Sequence, residues 1–445
     1  MGYRTRAVAR SAACLGMLLL ALALAAPATA QDRLENLSAA DVFALAEAAR
    51  SSGEVADALA LYDGLSGDPD IEIRAEARFR KGMLLSQLGR YADAAVEFRA
   101  LLDEKPDAAR VRLELARVLA MLGDEAGARR ALRQAQAAGL PPDVVAVVDQ
   151  FAAALRSNRR AGGSFEIGFA PDSNINRATS ARTLDTVIAP LTLSDDARAQ
   201  SGVGLQGSGQ VYARLPLTDR LSLVPRASAR GQFYRHDEFN DLSSSALVGV
   251  EWSVGRDRLT PSAGRTWRWY GGALYAETET VALNWLHPIG QRAQLTVAGS
   301  AAHATYNRNP LQSGGLFDLS IAGEYALSQR SGLGGSIGVT RHDARDPGYS
   351  TTSGALGAYA WHDAGRATLF VNAAVRRTVG DVRLFLFPER RKDWFMQLSV
   401  GATLRWLTVE GFAPVVRVGM ERNASTVGLY DYSRLTTEFG IARAF

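Results

Sequence analysis

Two periodicities divide this chain. From residue 36 to 157, apolar positions recur at spacings of three and four, the mark of helices with one buried face. From Gly162 onward the spacing becomes two, the mark of strands with one apolar face. Four stretches carry it plainly: Ala246 to Val254, Phe317 to Tyr325, Trp394 to Trp406 and Leu435 to Ile441. In the third, Trp394, Met396, Leu398, Val400, Ala402 and Leu404 alternate with Phe395, Gln397, Ser399, Gly401, Thr403 and Arg405.

The helical segment repeats. Gly53, Gly89 and Gly123 recur at intervals of 36 and 34, as do Ala58, Ala94 and Ala128, and Tyr62, Phe98 and Leu132. Pro69 and Pro106 close the first two units. In the best copy Gly82, Gly89, Tyr91, Ala94, Phe98 and Pro106 occupy the tetratricopeptide positions, and Gly123 and Ala128 follow in the next unit. Small residues let paired helices approach, a glycine permits the turn, and a large apolar residue fills the pair. About three pairs fit, with a closing helix expected over 143–155. Such a stack binds a protein segment or serves as a spacer or plug; binding is the commoner use of the fold.

The strands are too long for an ordinary soluble sheet and long enough to cross a bilayer at a tilt. Fourteen are expected, near 163–170, 201–215, 220–233, 244–255, 259–269, 274–287, 292–306, 315–327, 332–342, 352–362, 366–378, 394–406, 412–422 and 433–445. Every second strand ends in a tight turn: Thr218-Asp219, Gly255 to Asp257, Pro288 to Gly290, Gln329 to Ser331, Asp363 to Gly365 and Thr408 to Gly411. The other connections are expected to be mostly longer, notably 171–200 and 379–393. Short turns on one side and long loops on the other is the rule of outer-membrane barrels, whose even strand number brings both chain ends to the periplasm. Aromatics at expected strand ends (Trp267 to Tyr270, Trp361, Trp394, Trp406) suit the two interfacial girdles. The fold expected is thus multidomain α + β: α-helical tetratricopeptide repeats over 31–160, then a 14-stranded antiparallel transmembrane β-barrel over 161–445.

An interior-facing polar set follows from the alternation: Arg226, Ser228, Arg230, Gln232, Glu251, Asp318, Glu324, Asn372, Arg376, Arg405, Arg417 and Glu421. It reads as compensating charge on a watery wall or as a path for a passenger. Phe439, Ile441 and terminal Phe445 resemble the signal read by barrel-assembly machinery, although Arg443 stands where that signal is usually apolar.

Composition adds the export route. Arg4, Arg6 and Arg10 precede an apolar run from Leu15 to Ala26, and Ala28-Thr29-Ala30 offers a cleavage site before Gln31, so residues 1–30 read as a signal peptide. Twelve apolar residues are too few for a membrane anchor. Cys14, the single cysteine, precedes the run and leaves with it, which excludes lipid attachment, disulfides and thiolate metal sites in the mature chain. Of the net charge of +4, three charges are in the signal, so the mature chain gives no argument for nucleic acid. The five histidines (His236, His287, His303, His342, His362) show no metal-ligand spacing, and His303 with Ser300 makes a poor hydrolase pair. No catalytic residue, cofactor or metal is expected.

Two segments go beyond fold class. Phe165 to Arg177 contains Pro171-Asp172-Ser173-Asn174-Ile175-Asn176, and Arg422 to Phe445 contains Tyr430-Asp431-Tyr432-Ser433-Arg434. With the repeat-then-barrel order, they resemble the surface lipoprotein assembly modifier family. That resemblance implies a fourteen-stranded barrel with a periplasmic repeat domain that helps particular lipoproteins, or soluble secreted proteins, reach the cell surface. The implied partners are the passenger, the barrel-assembly machinery and outer-membrane lipid. Asp172, Ser173, Asn174 and Asn176 are turn formers whose side chains bond nearby backbone. They are expected to close the first outer loop against the loop holding Tyr430, Asp431 and Tyr432, pinning the seam between first and last strands as a passenger contact. The competing readings are a polysaccharide export porin and a plain diffusion pore.

Overall fold

The computed structural model describes residues 37–122, 124–137, 161–290, 292–407 and 412–443. The expected signal peptide, Gly123, the closing helix over 143–155, the turn at 408–411 and Phe445 lie outside them. The chain forms two compact units, one ending at Ala77 and one beginning at Arg78.

The first unit holds α1 (Ala39–Ser52) and α2 (Val55–Leu65). Ser38 and Asp41 form a reciprocal capping box that satisfies the first free N–H groups of α1. Gly53 ends α1 at φ 85°, a left-handed conformation that suits glycine. Ala46 and Ala58 are fully buried, and Phe43 meets Tyr62 with ring centroids 6.4 Å apart. The helix α3 (Ile71–Gln87) carries the chain into the second unit.

There α3 pairs with α4 (Tyr91–Glu104), then come α5 (Ala109–Leu122) and α6 (Glu125–Ala137). Phe98 and Ala94 are wholly buried, and a Cβ on Gly82 would sit 2.6 Å from the Phe98 ring. Only glycine admits that approach. Ala116, Ala128 and Leu132 are buried between α5 and α6. Gly89 takes φ 75° at the α3–α4 turn. Tyr91 starts α4 and Pro106 follows its end.

The barrel is closed by fourteen antiparallel strands. They are β1 (Ala161–Asp172), β2 (Gly202–Ala213, continued as Leu215–Thr218), β3 (Leu221–Tyr234), β4 (Asp241–Val254) and β5 (Asp257–Tyr270). Next come β6 (Ala273–Ile289), β7 (Ala293–Tyr306), β8 (Gly314–Ala326), β9 (Ser331–Ala344) and β10 (Thr351–Ala364). Last are β11 (Ala367–Arg383), β12 (Arg390–Leu404), β13 (Phe412–Ser425) and β14 (Tyr432–Arg443). Each strand pairs with its sequence neighbours, and β14 returns to β1. The outer face carries the alternating apolar set, including Val248, Phe317, Leu319, Leu356, Leu398 and Phe439. Such exposure is unfavourable in water and favourable in lipid.

One end carries the short turns, at 219–220, 255–256, 327–330 and 365–366 and beside Gly290. The other carries the loop 173–201, with its own two-residue ladder (Thr183–Leu184 with Leu191–Thr192), and most of the longer connections. The β5–β6 connection at the long-loop end is a tight turn, in which Gly271 and Gly272 both take positive φ. Two details differ from expectation. The loop expected over 379–393 is mostly strand: β11 bulges between Val379 and Arg383, and only 384–389 remain as loop. Trp361 is no girdle residue. Leu356 and its alternates face outward, so Trp361 falls on the interior wall beside Asp363 and Phe370.

Phe98→Ala should cost about 3–5 kcal/mol by leaving a cavity between α3 and α4. Hydrogen exchange on the full chain should then show lost amide protection across both helices, with the barrel strands unchanged.

Candidate functional site

Among the described residues, the seam between β1 and β14 is the least paired junction of the wall. Among the described residues it has five paired positions, from Glu166 opposite Ala442 to Asp172 opposite Thr436. Pro171 has no N–H to contribute there. Gly168 faces Gly440 so closely that a Cβ on Gly168 would lie 2.8 Å from the Gly440 Cα.

Two side-chain braces compensate on the interior face. At the long-loop end, Arg434 of β14 grips Asp172 of β1, with Nη2 to Oδ2 at 2.5 Å and Nε to both carboxylate oxygens. Both residues are 5 % exposed. Arg434 also reaches Glu421 of β13 at 3.2 Å, and the Tyr234 hydroxyl donates to Asp172 at 3.4 Å. The Tyr234 ring lies over Gly204, where a Cβ would displace it. Glu421 receives a second cation, Arg177 from the first loop, at 3.1 Å. Arg177 holds φ 47°, the one positive φ outside glycine among the described residues. The N–H of Arg177 donates to the Asn174 carbonyl and its guanidinium meets Glu421, so the conformation is fixed from both sides. The lower brace is Arg417 of β13, which pairs with Glu438 of β14 at 2.6 Å and Glu166 of β1 at 3.4 Å.

The candidate loop residues divide between three tasks. Ser173 adds a rung to the seam: its N–H donates to the Leu435 carbonyl and its hydroxyl accepts from the Leu435 N–H. Asn174, 2 % exposed, donates across the seam to the Ser433 carbonyl at 3.0 Å and to Ala178 at 2.8 Å. Asn176 stays within its own loop, bonding Arg198 and Gln200. Asp431 is held by both terminal nitrogens of Arg422, which also donates to the Tyr432 carbonyl. Tyr430 lies under the Arg391 guanidinium, 3.7 Å from the ring centroid, and burial pushes its phenol up.

The first loop does meet the Tyr430 loop, but through apolar side chains rather than through Asp172. Leu184 and Val427 form a buried core with Leu384 and Phe387, flanked by Leu193, Tyr349 and Tyr430. The Val187 N–H donates to Leu386 in the same assembly. Four loops thus fasten together at this end. Phe439 and Ile441 lie outward, opposite Phe169 and Ile167 across the seam.

At the short-turn end, the helices are clamped to the wall. Arg405 bonds Asp103 of α4 at 2.6 Å, Asp363 at 2.8 Å and the Gly365 carbonyl at 2.5 Å. Arg133 of α6 bonds Glu324 of β8 at 2.6 Å and Gln294 of β7 at 3.1 Å. Burial pushes the Asp103 carboxyl up, and Arg405 opposes that rise.

The motif Tyr430 to Arg434 includes Arg434 without giving it a role, and sequence reasoning does not single out Tyr234 or Arg177. A signal for Arg434 exists: barrel closure sets the end of the first strand beside the start of the last, and Asp172 and Arg434 both fall in the interior phase. Nothing local marks Tyr234. Of the histidines, His303 lies on the outer face with Arg265 and Glu279, while Ser300 turns inward to Asp318.

Arg434→Ala would leave Asp172 and Glu421 buried without their shared cation, a loss of about 3–5 kcal/mol. The temperature at which the folded barrel band disappears in heat-modifiability gels should fall clearly. Arg417→Ala, at a more exposed pair, should lower it much less.

Comparison with known proteins agrees with this architecture. The family model described as surface lipoprotein assembly modifier matches residues 162–445, and a tetratricopeptide repeat model matches residues 85–150. Surface lipoprotein assembly modifier 1 of Haemophilus influenzae (strain ATCC 51907 / DSM 11121 / KW20 / Rd) is 23 % identical over 380 residues, 81 % of this chain and 76 % of that one. Among solved structures, a loop-deletion variant of OmpT, an outer membrane protein of Vibrio cholerae, is matched at TM-score 0.37 and 8 % identity, covering 64 % of this chain and 99 % of that one. A bacterial polysaccharide outer membrane secretin is matched at TM-score 0.33 and 13 % identity, covering 63 % and 98 %. The barrel is that of an outer-membrane protein. Matched by the family model across the barrel from the first strand to the last residue, the chain belongs to the surface lipoprotein assembly modifier family.

Proposed function

We propose that this chain helps surface lipoproteins or secreted proteins cross the outer membrane, with the helical repeats recruiting the passenger and the barrel handing it outward at the β1–β14 seam. The observation that carries this reading is the contrast between the two routes out. Along the barrel axis a passenger must break the four-loop core around Leu184, Leu384, Phe387 and Val427. Through the seam it must separate the five described residue pairs of β1 and β14 and two ionic braces. In lipid, bare strand edges are costly, since each unsatisfied backbone group costs several kcal/mol. A β-rich passenger offers strands that pair with the freed edges as they open. The driving force is then the passenger's own folding or a partner's work.

The short-turn end faces the periplasm by the barrel rule. The clamps Arg405–Asp103 and Arg133–Glu324 hold α4 and α6 there, at the entrance a periplasmic passenger would meet. One observation favours polysaccharide export as a second reading: Tyr359, Trp361 and Phe370 line the interior beside Asp363. These rings gather at one end near the helices and do not form a stripe along the wall, so passenger delivery accounts for more of the molecule.

Protease shaving of intact cells, with passenger level held equal, tests the reading. Surface exposure of the co-produced secreted or lipid-modified protein should fall when this chain is deleted. It should return with the full chain and not with the barrel alone. Unchanged exposure on deletion sinks passenger delivery.

A further inference from the structure

Two adjoining interior cavities, of about 1000 and 680 Å³, lie between the helices and the barrel wall. Arg130, Glu166 and Arg230 line both. Their combined lining holds eleven arginines against five carboxylates among the described residues. The carboxylates are already engaged. Glu251 takes Arg214 and Arg258, Asp103 and Asp363 take Arg405, Glu166 takes Arg417, and Asp124 caps α6 through the Gly127 N–H. Arg99, Arg130, Arg226 and Arg230 form no ion pair among the described residues and face the same space.

The crowding has an energetic trace on the helices. Burial, with Arg405 and Arg130 nearby, holds Arg99 down to about 10. Burial holds Arg112 down to about 10, against the opposing pull of Asp363, and Arg330 adds to the lowering. An anion entering here meets the buried Arg99 together with the open guanidinium groups of Arg130, Arg226 and Arg230, and can form charge-assisted hydrogen bonds with them. The wall of the larger cavity supplies hydroxyls: Ser208, Ser228, Ser243, Ser245, Thr260 and Ser262. Hydroxyls donate and accept, which suits an extended backbone. The same cavity touches Gly163 to Glu166 of β1, directly behind the seam.

We propose that this arginine chamber binds an acidic, extended segment of the passenger polypeptide on its way from the helices to the seam. The proposal rests on the passenger-delivery reading and deepens it: acidity is the property by which the barrel selects what it admits. Arg130 and Arg99 approach from the helices, and Arg226 and Arg230 project from β3. The chain thereby grips one segment between its helices and its wall.

The test uses the full chain purified in detergent and a fluorescent glutamate-serine peptide. Lysine-serine and glycine-serine peptides of equal length serve as controls, with pyrophosphate as a small-anion probe. The acidic peptide should bind, weaken as salt rises, and lose about tenfold or more in affinity in the Arg130→Gln/Arg226→Gln/Arg230→Gln variant. Arg377→Gln, on the outer face, should leave binding unchanged. Heat-modifiability confirms that each variant is folded. Equal binding of the neutral peptide, or an unaffected triple variant, overturns the proposal. So does binding of pyrophosphate without the acidic peptide, which would make the chamber a phosphate site. If shaving shows delivery while the peptide fails to bind, the chamber proposal falls alone. If the peptide binds while deletion leaves exposure unchanged, the failure lies in passenger delivery, and the chamber's acidic ligand is then not a passenger.

Discussion

Everything in this molecule depends on joining the first strand to the last. A fourteen-stranded sheet has two edges, and in lipid neither can be left bare. The chain closes them with a short ladder, a glycine facing a glycine, and the buried pair Asp172–Arg434. In that pair, as in the Arg214–Glu251–Arg258 cluster, the partners are nearly inaccessible, and each of the two has further partners. Asp172 also receives Tyr234 and the Asn174 N–H, and Arg434 also reaches Glu421. A buried ion pair adds little net stability compared with apolar packing, but losing one partner is costly. It is therefore a fastening that holds until its charge is answered elsewhere.

The long first loop is arranged around the same fastening. Ser173 and Asn174 extend the closure past the end of β1, and Arg177 adds a third charge from above. The loop then crosses to the loops after β9, β11 and β13 through an apolar core. At the opposite end, Arg405 and Arg133 join helices to strands with the same guanidinium–carboxylate chemistry. Arginine suits all these positions because its planar fork keeps its charge when buried and satisfies several acceptors at once.

The parts of this structure governed by period were legible in the sequence. Alternation gave the number of strands and their outward faces, and the glycine and alanine intervals gave the helix pairs. The parts governed by closure were less so. Asp172 was visible as a turn former, yet its partner is 262 residues away, and only the geometry of a closed barrel brings them together. Trp361 misled because its position near a strand end suggested a girdle, whereas the phase of its strand sends it inward. The bulge at Val379 to Arg383 leaves no periodic trace in the sequence, so the strand there runs further than alternation indicates. The interior chamber was visible only as scattered polar alternates; that Arg226 and Arg230 share a space with Arg99 and Arg130 follows from where α4 and α6 are clamped.

The most direct measurement is to lock the seam and ask whether delivery stops. Ile167 and Ile441 face each other across β1 and β14, so cysteines at both positions are placed for a disulfide. In cells carrying this double variant, surface exposure of the passenger is read by protease shaving before and after reduction. Release at the seam predicts little exposure while the disulfide holds and recovery once it is reduced, with the barrel folded throughout. Undiminished delivery by the locked barrel would contradict the account.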